Sequence, residues 1–95
     1  MKHTKLFYRT IARIRVVNQK NSAVFIDRFV KVFKIGYVRA VKLKTELVEA
    51  GVLKDWDLDN IKNIKGNIVW ENLKKYRVPK EITQKETERV RKERL

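Results

Sequence analysis

The sequence has no cysteine, one serine and one histidine, and these shortages exclude several kinds of chemistry. Without cysteine the chain can form neither a disulfide bond nor a thiolate metal site. The single histidine, His3, lies near the terminus and has no set of partner residues for nucleophilic catalysis. We therefore predict a protein that is not an enzyme and that uses neither a cofactor nor a metal ion.

Long apolar runs are absent as well. No uninterrupted apolar segment approaches the roughly 20 residues that a membrane-spanning helix requires. The mixed charges that follow residues 1–5 do not match a signal peptide. A chain of 95 residues, 43% of them hydrophobic, is sufficient for one small compact domain. We expect a cytoplasmic protein, associated with the nucleoid if it is bacterial and without a membrane partner. The sequence indicates no oligomeric state.

Basic residues dominate what is present. The chain has 24 Lys and Arg residues against 11 Asp and Glu, which gives a formal net charge of +13 at pH 7. Individual surface lysines usually serve solubility, but an excess of this size destabilises a compact chain through self-repulsion unless a polyanion offsets it. The charge therefore favours a nucleic acid as the partner.

The first third of the chain alternates between helical and strand-like patterns. Apolar residues at helical spacing predict a helix over 6–17, and a short β-prone segment predicts a strand over 24–26. Asp27 is a typical N-cap residue, so we expect a second helix over 28–33.

A tight turn and a third helix follow. Gly36 is expected to supply the backbone freedom for the turn, and the helix then runs from Tyr37 to about Ala50, where Gly51 is a suitable C-terminal cap. The spacing places three cations away from the apolar side of this helix: Arg39, Lys42 and Lys44. Two helices joined by a tight turn have the layout of a helix-turn-helix, whose second helix can enter a DNA major groove.

After the third helix the pattern becomes that of a sheet. Segments 52–54 and 67–70 predict an antiparallel hairpin. A helix-turn-helix followed by a hairpin is a winged helix, in which the hairpin is the wing. We therefore predict an α+β fold with a winged helix-turn-helix domain of three helices over 6–73, a flexible basic N-terminus at 1–5, and a charged tail at 74–95.

The tail combines helical signals with little apolar surface. Thr83 and Glu86 have the spacing of a capping box, so residues 84–94 are expected to be helical. Apart from Val90 and Leu95, this segment has no apolar residues with which to pack. We expect a poorly anchored helix that is mobile or ordered by a partner.

The turn and the third helix also carry a resemblance to a known family. They match, without a gap, a pattern of a basic residue, Ile-Gly-Tyr-Asn-Arg-Ala-Ala-Arg, a hydrophobic helix and a Gly-Val or Gly-Ile exit. The matching residues are Lys34, Ile35, Gly36, Tyr37, Arg39, Ala40, Lys42, Leu43, Leu47, Ala50, Gly51 and Val52. This segment resembles the C-terminal gamma domain of FtsK-type bacterial DNA translocases, with weaker similarity over about residues 6–70.

The resemblance implies a winged-helix module that binds duplex DNA; in the translocases it reads short G-rich sequences and contacts a recombinase. The chain departs from the family pattern at Val38, where the family has Asn, and at Lys42, where it has a second Arg. Asn suits adenine and Arg suits guanine, whereas Val can only touch a thymine methyl group or pack. The family's sequence preference is therefore not expected here. The phosphate loop of the motor, G-x-x-x-x-G-K-[ST], is also missing from the chain.

We predict a non-catalytic protein that binds double-stranded DNA, such as a regulator or accessory factor of a mobile element or phage. Arg39 is the first candidate for contact with a base edge, because it lies near the start of the third helix. Lys42, one turn later, is the second. The further candidates are cations for phosphate contacts and two neighbours of Arg39: Arg28, Lys31, Lys34, Lys62, Lys65, Tyr37 and Val38. The alternative interpretation is an ordinary surface charge for each cation and a packed aromatic ring for Tyr37.

Two other functions remain open. Residues 55–59 alternate carboxylates as an EF-hand loop does, but Asn60 and Gly66 occupy the positions that require Gly and Glu, so no calcium site is expected. This acidic segment, like the tail, also suits a protein partner. The alternatives are thus a winged helix that docks a recombinase or replication partner with incidental DNA affinity, and a basic RNA-binding protein.

Overall fold

The computed structural model describes residues 3–17, 23–54 and 65–93. Within these ranges the elements are, in chain order, α1 (Lys5–Val17), β1 (Ala23–Phe25), α2 (Ile26–Phe33), α3 (Tyr37–Glu49), β2 (Leu53–Lys54), β3 (Lys65–Ile68), α4 (Trp70–Leu73) and α5 (Lys80–Glu93). Helices and one small antiparallel sheet therefore confirm the predicted α+β class. None of the helices in the described ranges is long and apolar enough to cross a membrane.

The sheet has three strands, with β3 between β1 and β2. Both pairings are antiparallel, and they align Val24 with Gly66 and Leu53 with Ile68. The predicted hairpin is confirmed, although Trp70 begins α4 instead of continuing the strand. The pairing of β1 with β3 was not predicted. β1 precedes α2, and β2 follows α3. Because β3 pairs with both strands, the sheet brings together the start of α2 and the end of α3.

The core forms where the apolar faces of the first three helices meet. On α1 the buried side chains recur at helical spacing, as predicted, with Phe7 and Ile11 completely inaccessible. Phe29 and Phe33 of α2 are buried too, and their rings lie 6.0 Å apart. Each side chain of this size contributes about 1.5–3 kcal/mol when fully buried. The core is completed by residues of α3 and of the segments that follow it: Ala40, Leu43, Leu47, Val52, Leu53, Ile68, Leu73 and Ile82.

Two details of the α2–α3 connection differ from the prediction. Asp27 lies inside α2, which begins at Ile26, so it is not the N-cap. Gly36 has φ −71° and ψ 165°, an extended conformation open to any residue. The left-handed residue of the turn is instead Lys34, with φ 54°. The chain therefore reverses immediately after α2 ends, and Gly36 serves as the N-cap of α3.

The predicted glycine cap at the end of α3 is confirmed. Gly51 has φ 77°, in the left-handed region. Its N–H donates to the carbonyl of Val48, and the N–H of Val52 donates to that of Leu47, both at 3.0 Å. These two bonds form a Schellman motif, which satisfies carbonyl groups that the helix end would otherwise leave free.

Side chains from the chain beyond β3 close this helix end. The Asn72 amide donates to the carbonyl of Gly51 at 2.8 Å, and the Tyr76 hydroxyl donates to that of Ala50 at 3.0 Å. Arg15 of α1 in turn donates to the carbonyls of Leu73 and Tyr76. Partial burial of the guanidinium lowers the pKa of Arg15, although much of the residue is exposed. The segment after β3 is thus attached to both α1 and α3.

We expect Gly51→Ser to lower the free energy of unfolding by about 1–3 kcal/mol, through left-handed strain and disturbance of the Asn72 hydrogen bond. A Cβ at Gly51 would lie 3.0 Å from Nδ2 of Asn72. Gly36→Ser is the matched control, because nothing lies within 4 Å of a Cβ there. It should be neutral or stabilising, since serine is a good N-cap. Urea unfolding measures both, and equal losses would contradict this account of Gly51.

The tail helix, α5, confirms the helical prediction but is anchored differently. It packs along α1 and buries Ile82, Val90 and Glu86, the last with no exposed surface. The helix begins at Lys80, so Glu86 lies well inside it and faces α1 instead of completing a capping box. The prediction that this helix is poorly anchored is therefore wrong, because its buried side chains pack against α1. The prediction that the segment is mobile or ordered by a partner concerns motion, and it stays a prediction.

The carboxylate of Glu86 is surrounded by arginines. Arg9 and Arg13 of α1 and Arg89 of α5 all donate to it, Arg13 at 3.3 Å and Arg89 at 2.6 Å. Arg13 also bonds Glu93, and the Arg9 guanidinium lies 4.8 Å from the centre of the Phe33 ring. The cluster therefore connects α1, α2 and α5 and neutralises cations that would otherwise repel one another.

Glu86→Gln should reduce the free energy of unfolding by about 3–5 kcal/mol, because it leaves the largely buried Arg9 with no ion pair among the described residues and leaves Arg13 with Glu93 alone. The matched control is Glu88→Gln, a residue of the same helix that is exposed. It should change stability by about 0.5 kcal/mol at most. Urea denaturation at neutral pH compares the two variants. Similar small effects from both would show that the buried carboxylate does not hold α5 in place.

Candidate nucleic-acid interface

α3 has one face in the core and one face in solvent. Ala40, Leu43 and Leu47 are almost completely buried, at the spacing of three and four residues that defines a helical stripe. Arg39 and Lys42 are exposed on another face and lie three residues apart. Neighbours at this spacing are about 5–6 Å apart at their Cβ atoms. The two leading candidates therefore lie side by side on the surface, as predicted.

The start of α3 is electrostatically suited to an anion. Its N-cap, Gly36, offers no side chain to the free backbone N–H groups, and the first turn contains no acidic residue. The N-terminus of a helix carries a partial positive charge that favours phosphate and other anions. Arg39, in the same turn, adds a full positive charge. The helix dipole and the side-chain charges therefore have the same sign here.

Three further candidates lie on α2 and in the turn after it. Arg28 and Lys31, three residues apart, are exposed, and so is Lys34. Within the described ranges neither these cations nor Arg39 and Lys42 form an ion pair, whereas the arginines around Glu86 do. α2 packs on α3. The cations of the two helices are thus available to an external polyanion.

The structure corrects two expectations for α3. Lys44, predicted to be exposed, is only 4% exposed. The reason is its position one turn after Ala40 and one turn before Leu47, which places it on the core face. Tyr37, for which a packed aromatic ring was the alternative interpretation, is 48% exposed, and its neighbour Val38 is 68% exposed. The first turn of α3 therefore presents an aromatic ring and a valine to solvent beside Arg39.

The wing candidates are only partly described. Lys65 belongs to β3, but its side chain lies outside what the structure describes, as does the whole of Lys62. The acidic residues 55–59 lie outside the described ranges as well. Among the residues that are described, no cluster of His, Asp or Glu could hold a metal ion.

A set of contacts that was not predicted holds α3 near its C-terminal end. Glu46 accepts hydrogen bonds from the Thr4 hydroxyl at 2.6 Å, the Thr4 N–H at 2.9 Å and Nδ1 of His3 at 3.0 Å. The Thr4 hydroxyl also accepts from the N–H of Phe7, which caps α1. The His3 ring stacks on that of Phe7 at 3.9 Å. These contacts, here called the Glu46 clamp, attach His3 and Thr4 to α3. The flexibility predicted for residues 1–5 concerns motion, and it stays a prediction.

The Glu46 clamp makes stability depend on pH. Burial alone raises the pKa of Glu46, but the hydrogen bonds from Thr4 and the bond and charge of His3 lower it, and the net direction is down. The contribution to stability is therefore complete above the ordinary pKa of the unfolded chain. It is lost as the pH falls through the lower pKa of the folded state.

We expect Glu46→Gln to destabilise the protein at pH 7 by about 1–2 kcal/mol, since an amide accepts these bonds less strongly than a carboxylate. The variant and the unsubstituted protein should become more similar in free energy of unfolding once the pH is below 4.5, the ordinary pKa of glutamate. Urea unfolding between pH 7 and pH 3 measures it. Glu49→Gln is the control on the same helix, because Glu49 is exposed. A Glu46→Gln effect that did not vary with pH would contradict the assignment to the charged carboxylate.

No protein-family model, curated protein or solved structure matches this chain. The resemblance to the FtsK gamma domain therefore stays a prediction, which depends on the residues of the turn and of α3.

Proposed function

We propose that the chain is a non-catalytic winged-helix protein that binds double-stranded DNA, as the gamma domain of FtsK-type translocases does. The observation that carries the proposal is the exposure of Arg39 and Lys42, side by side near the N-terminus of α3. Neither forms an ion pair within the described ranges, and α5 packs along α1. A helix in this position is open to a groove of duplex DNA.

The topology supports a winged helix. The order α1, β1, α2, α3, β2, β3 places a helix-turn-helix before a hairpin, and the central β3 attaches that hairpin to β1. The hairpin would be the wing. Its predicted phosphate contacts, Lys62 and Lys65, belong to the proposal on sequence grounds alone.

In the proposed complex the first turn of α3 enters the major groove. Arg39 donates two hydrogen bonds to O6 and N7 of a guanine, the commonest specific contact of arginine with a base. Lys42 contacts a base edge or a phosphate one turn further along. The exposed cations of α2 and the turn, Arg28, Lys31 and Lys34, contact phosphates and set the orientation without selecting a sequence.

Binding of this kind depends steeply on salt. Neutralising roughly 5–8 phosphates releases about that many counterions, and log K then falls with log salt at a slope of about −0.9 per phosphate. In the part of the chain that the structure describes, Arg39, Lys42 and the exposed cations of α2 have no countercharge beside them, which favours such release because no ion pair there has to break first.

The double variant Arg39→Ala/Lys42→Ala should bind duplex DNA about 10–100-fold more weakly, through loss of one bidentate contact and one charge contact. Arg91→Ala/Lys92→Ala, at the exposed end of α5, is the control with the same change in net charge. It should weaken binding about twofold at most, because salt screens the interaction between DNA and a charge that lies far from the interface. Fluorescence anisotropy at two salt concentrations, with urea unfolding of both variants, makes the comparison.

Equal losses in the two variants would contradict the assignment of α3, because they would show an effect of net charge alone. A preference for duplex RNA over duplex DNA in competition would favour the RNA-binding alternative, since an A-form major groove is too narrow for a helix. Selection from random duplex DNA would identify the bound sequence and indicate whether a mobile-element regulator or a replication accessory is the better biological role.

Docking to a protein partner is the second candidate. The observation that favours it is the pair of exposed apolar side chains, Tyr37 and Val38, at the start of α3. Aromatic residues and arginine are enriched at the centres of protein interfaces. A docking protein would keep its biological activity in the Arg39→Ala/Lys42→Ala variant after its DNA affinity is lost.

A further inference from the structure

Val38 is the most exposed large apolar residue among those that the structure describes, at 68%. It is the second residue of α3, directly before Arg39 and one turn before Lys42. A single exposed valine is ordinary on a protein surface. Its position beside the two cations proposed to meet DNA makes this one informative.

Neither packing nor helix formation accounts for valine at this position. The side chain is outside the core cluster. A β-branched residue is also a weaker helix former than alanine, lysine or glutamate, because its χ1 angle is restricted. An exposed position on a helix that serves only stability favours those residues instead. The valine therefore suits a contact made with something outside the chain.

We propose that Val38 reads the 5-methyl group of a thymine in the base pair next to the one that Arg39 contacts. This inference rests on the proposed function, and it names what the same helix recognises. Thymine is the base that presents a methyl group in the major groove, where apolar side chains contact it. Against another base edge, the valine would cover a polar group without offering it a hydrogen bond.

The geometry of the helix permits contact with adjacent base pairs. Residues 38 and 39 are consecutive in the first turn of α3, and residue 42 lies on the same exposed surface. Lys42 is the surface neighbour of both, four residues after Val38 and three after Arg39, at about 5–6 Å between Cβ atoms. This distance is comparable with one or two steps of stacked bases. Val38 and Arg39 together therefore suit a thymine adjacent to a guanine.

The test uses a short duplex recovered by selection from random DNA with the unsubstituted protein. It is prepared in two forms, one with thymine and one with uracil at every thymine position, which removes only the 5-methyl groups. We expect the uracil form to bind about fourfold more weakly for each methyl group contacted, which corresponds to the burial of one such group. Anisotropy titrations at a fixed salt concentration measure the ratio.

Two variants separate a contact through Val38 from a general effect of uracil on DNA shape. Val38→Ser removes the apolar surface, and its affinity should be the same for both duplexes. Val38→Asn should lose the methyl preference and gain a preference for adenine in a repeated selection, because asparagine pairs with the adenine edge. Substitution at so exposed a residue should leave the fold unchanged, which urea unfolding verifies.

The outcomes distinguish this inference from the function on which it rests. If the protein does not bind duplex DNA, both are overturned. If it binds, but selection yields no preferred sequence or the uracil duplex binds equally well, the inference is overturned and the DNA-binding proposal stands. A loss with uracil that persists in Val38→Ser would also overturn it, because the methyl group would then act elsewhere.

Discussion

The buried carboxylate of Glu86 is the interaction on which the arrangement of this chain depends. A protein with a formal charge of +13 must pack helices that carry arginine without allowing like charges to meet in the interior. Glu86 achieves this for Arg9, Arg13 and Arg89, and it joins α5 to α1. Removing a buried charge of this kind lowers the stability of the fold by more than the ion pair itself contributes, because the partner charges stay buried and out of contact with water. The cluster therefore gives the arginines between α1 and α5 a countercharge inside the fold.

The same division of charge leaves α3 available. Arginines near Glu86 are satisfied within the chain, whereas Arg39 and Lys42 have no countercharge in the described ranges. Glu46 adds a second constraint, since it attaches the residues before α1 to α3. The Schellman motif at Gly51 fixes the end of that helix. A proposed recognition helix that is held near its C-terminal end, by Glu46 and by the cap at Gly51, can present its exposed first turn to DNA in a defined orientation.

Local patterns predicted the elements better than their contacts. The apolar spacing of α1 and α3, the hairpin and the cap at Gly51 are all confirmed. Lys44 was misplaced because a lysine is expected outside, although its spacing from Ala40 and Leu47 indicates the buried face. Asp27 and Gly36 were assigned local roles from residue type alone, and the observed backbone assigns them others. Residue type alone is a weak predictor of local structure where a residue can adopt several backbone conformations.

The sequence by itself determined the approximate positions of α1, α2, α3, α5 and the strands, the basic character of the chain, and the resemblance on which the DNA-binding proposal began. These follow from spacing, composition and short motifs, which act over a few residues. Only the tertiary structure decided that Glu86 anchors α5, that Glu46 holds the N-terminus and that β1 pairs with β3. Each of those contacts joins residues at least 40 positions apart, as between Thr4 and Glu46, which are 42 positions apart. No periodicity within one segment encodes such a contact, because its energy exists only when both partners leave water together.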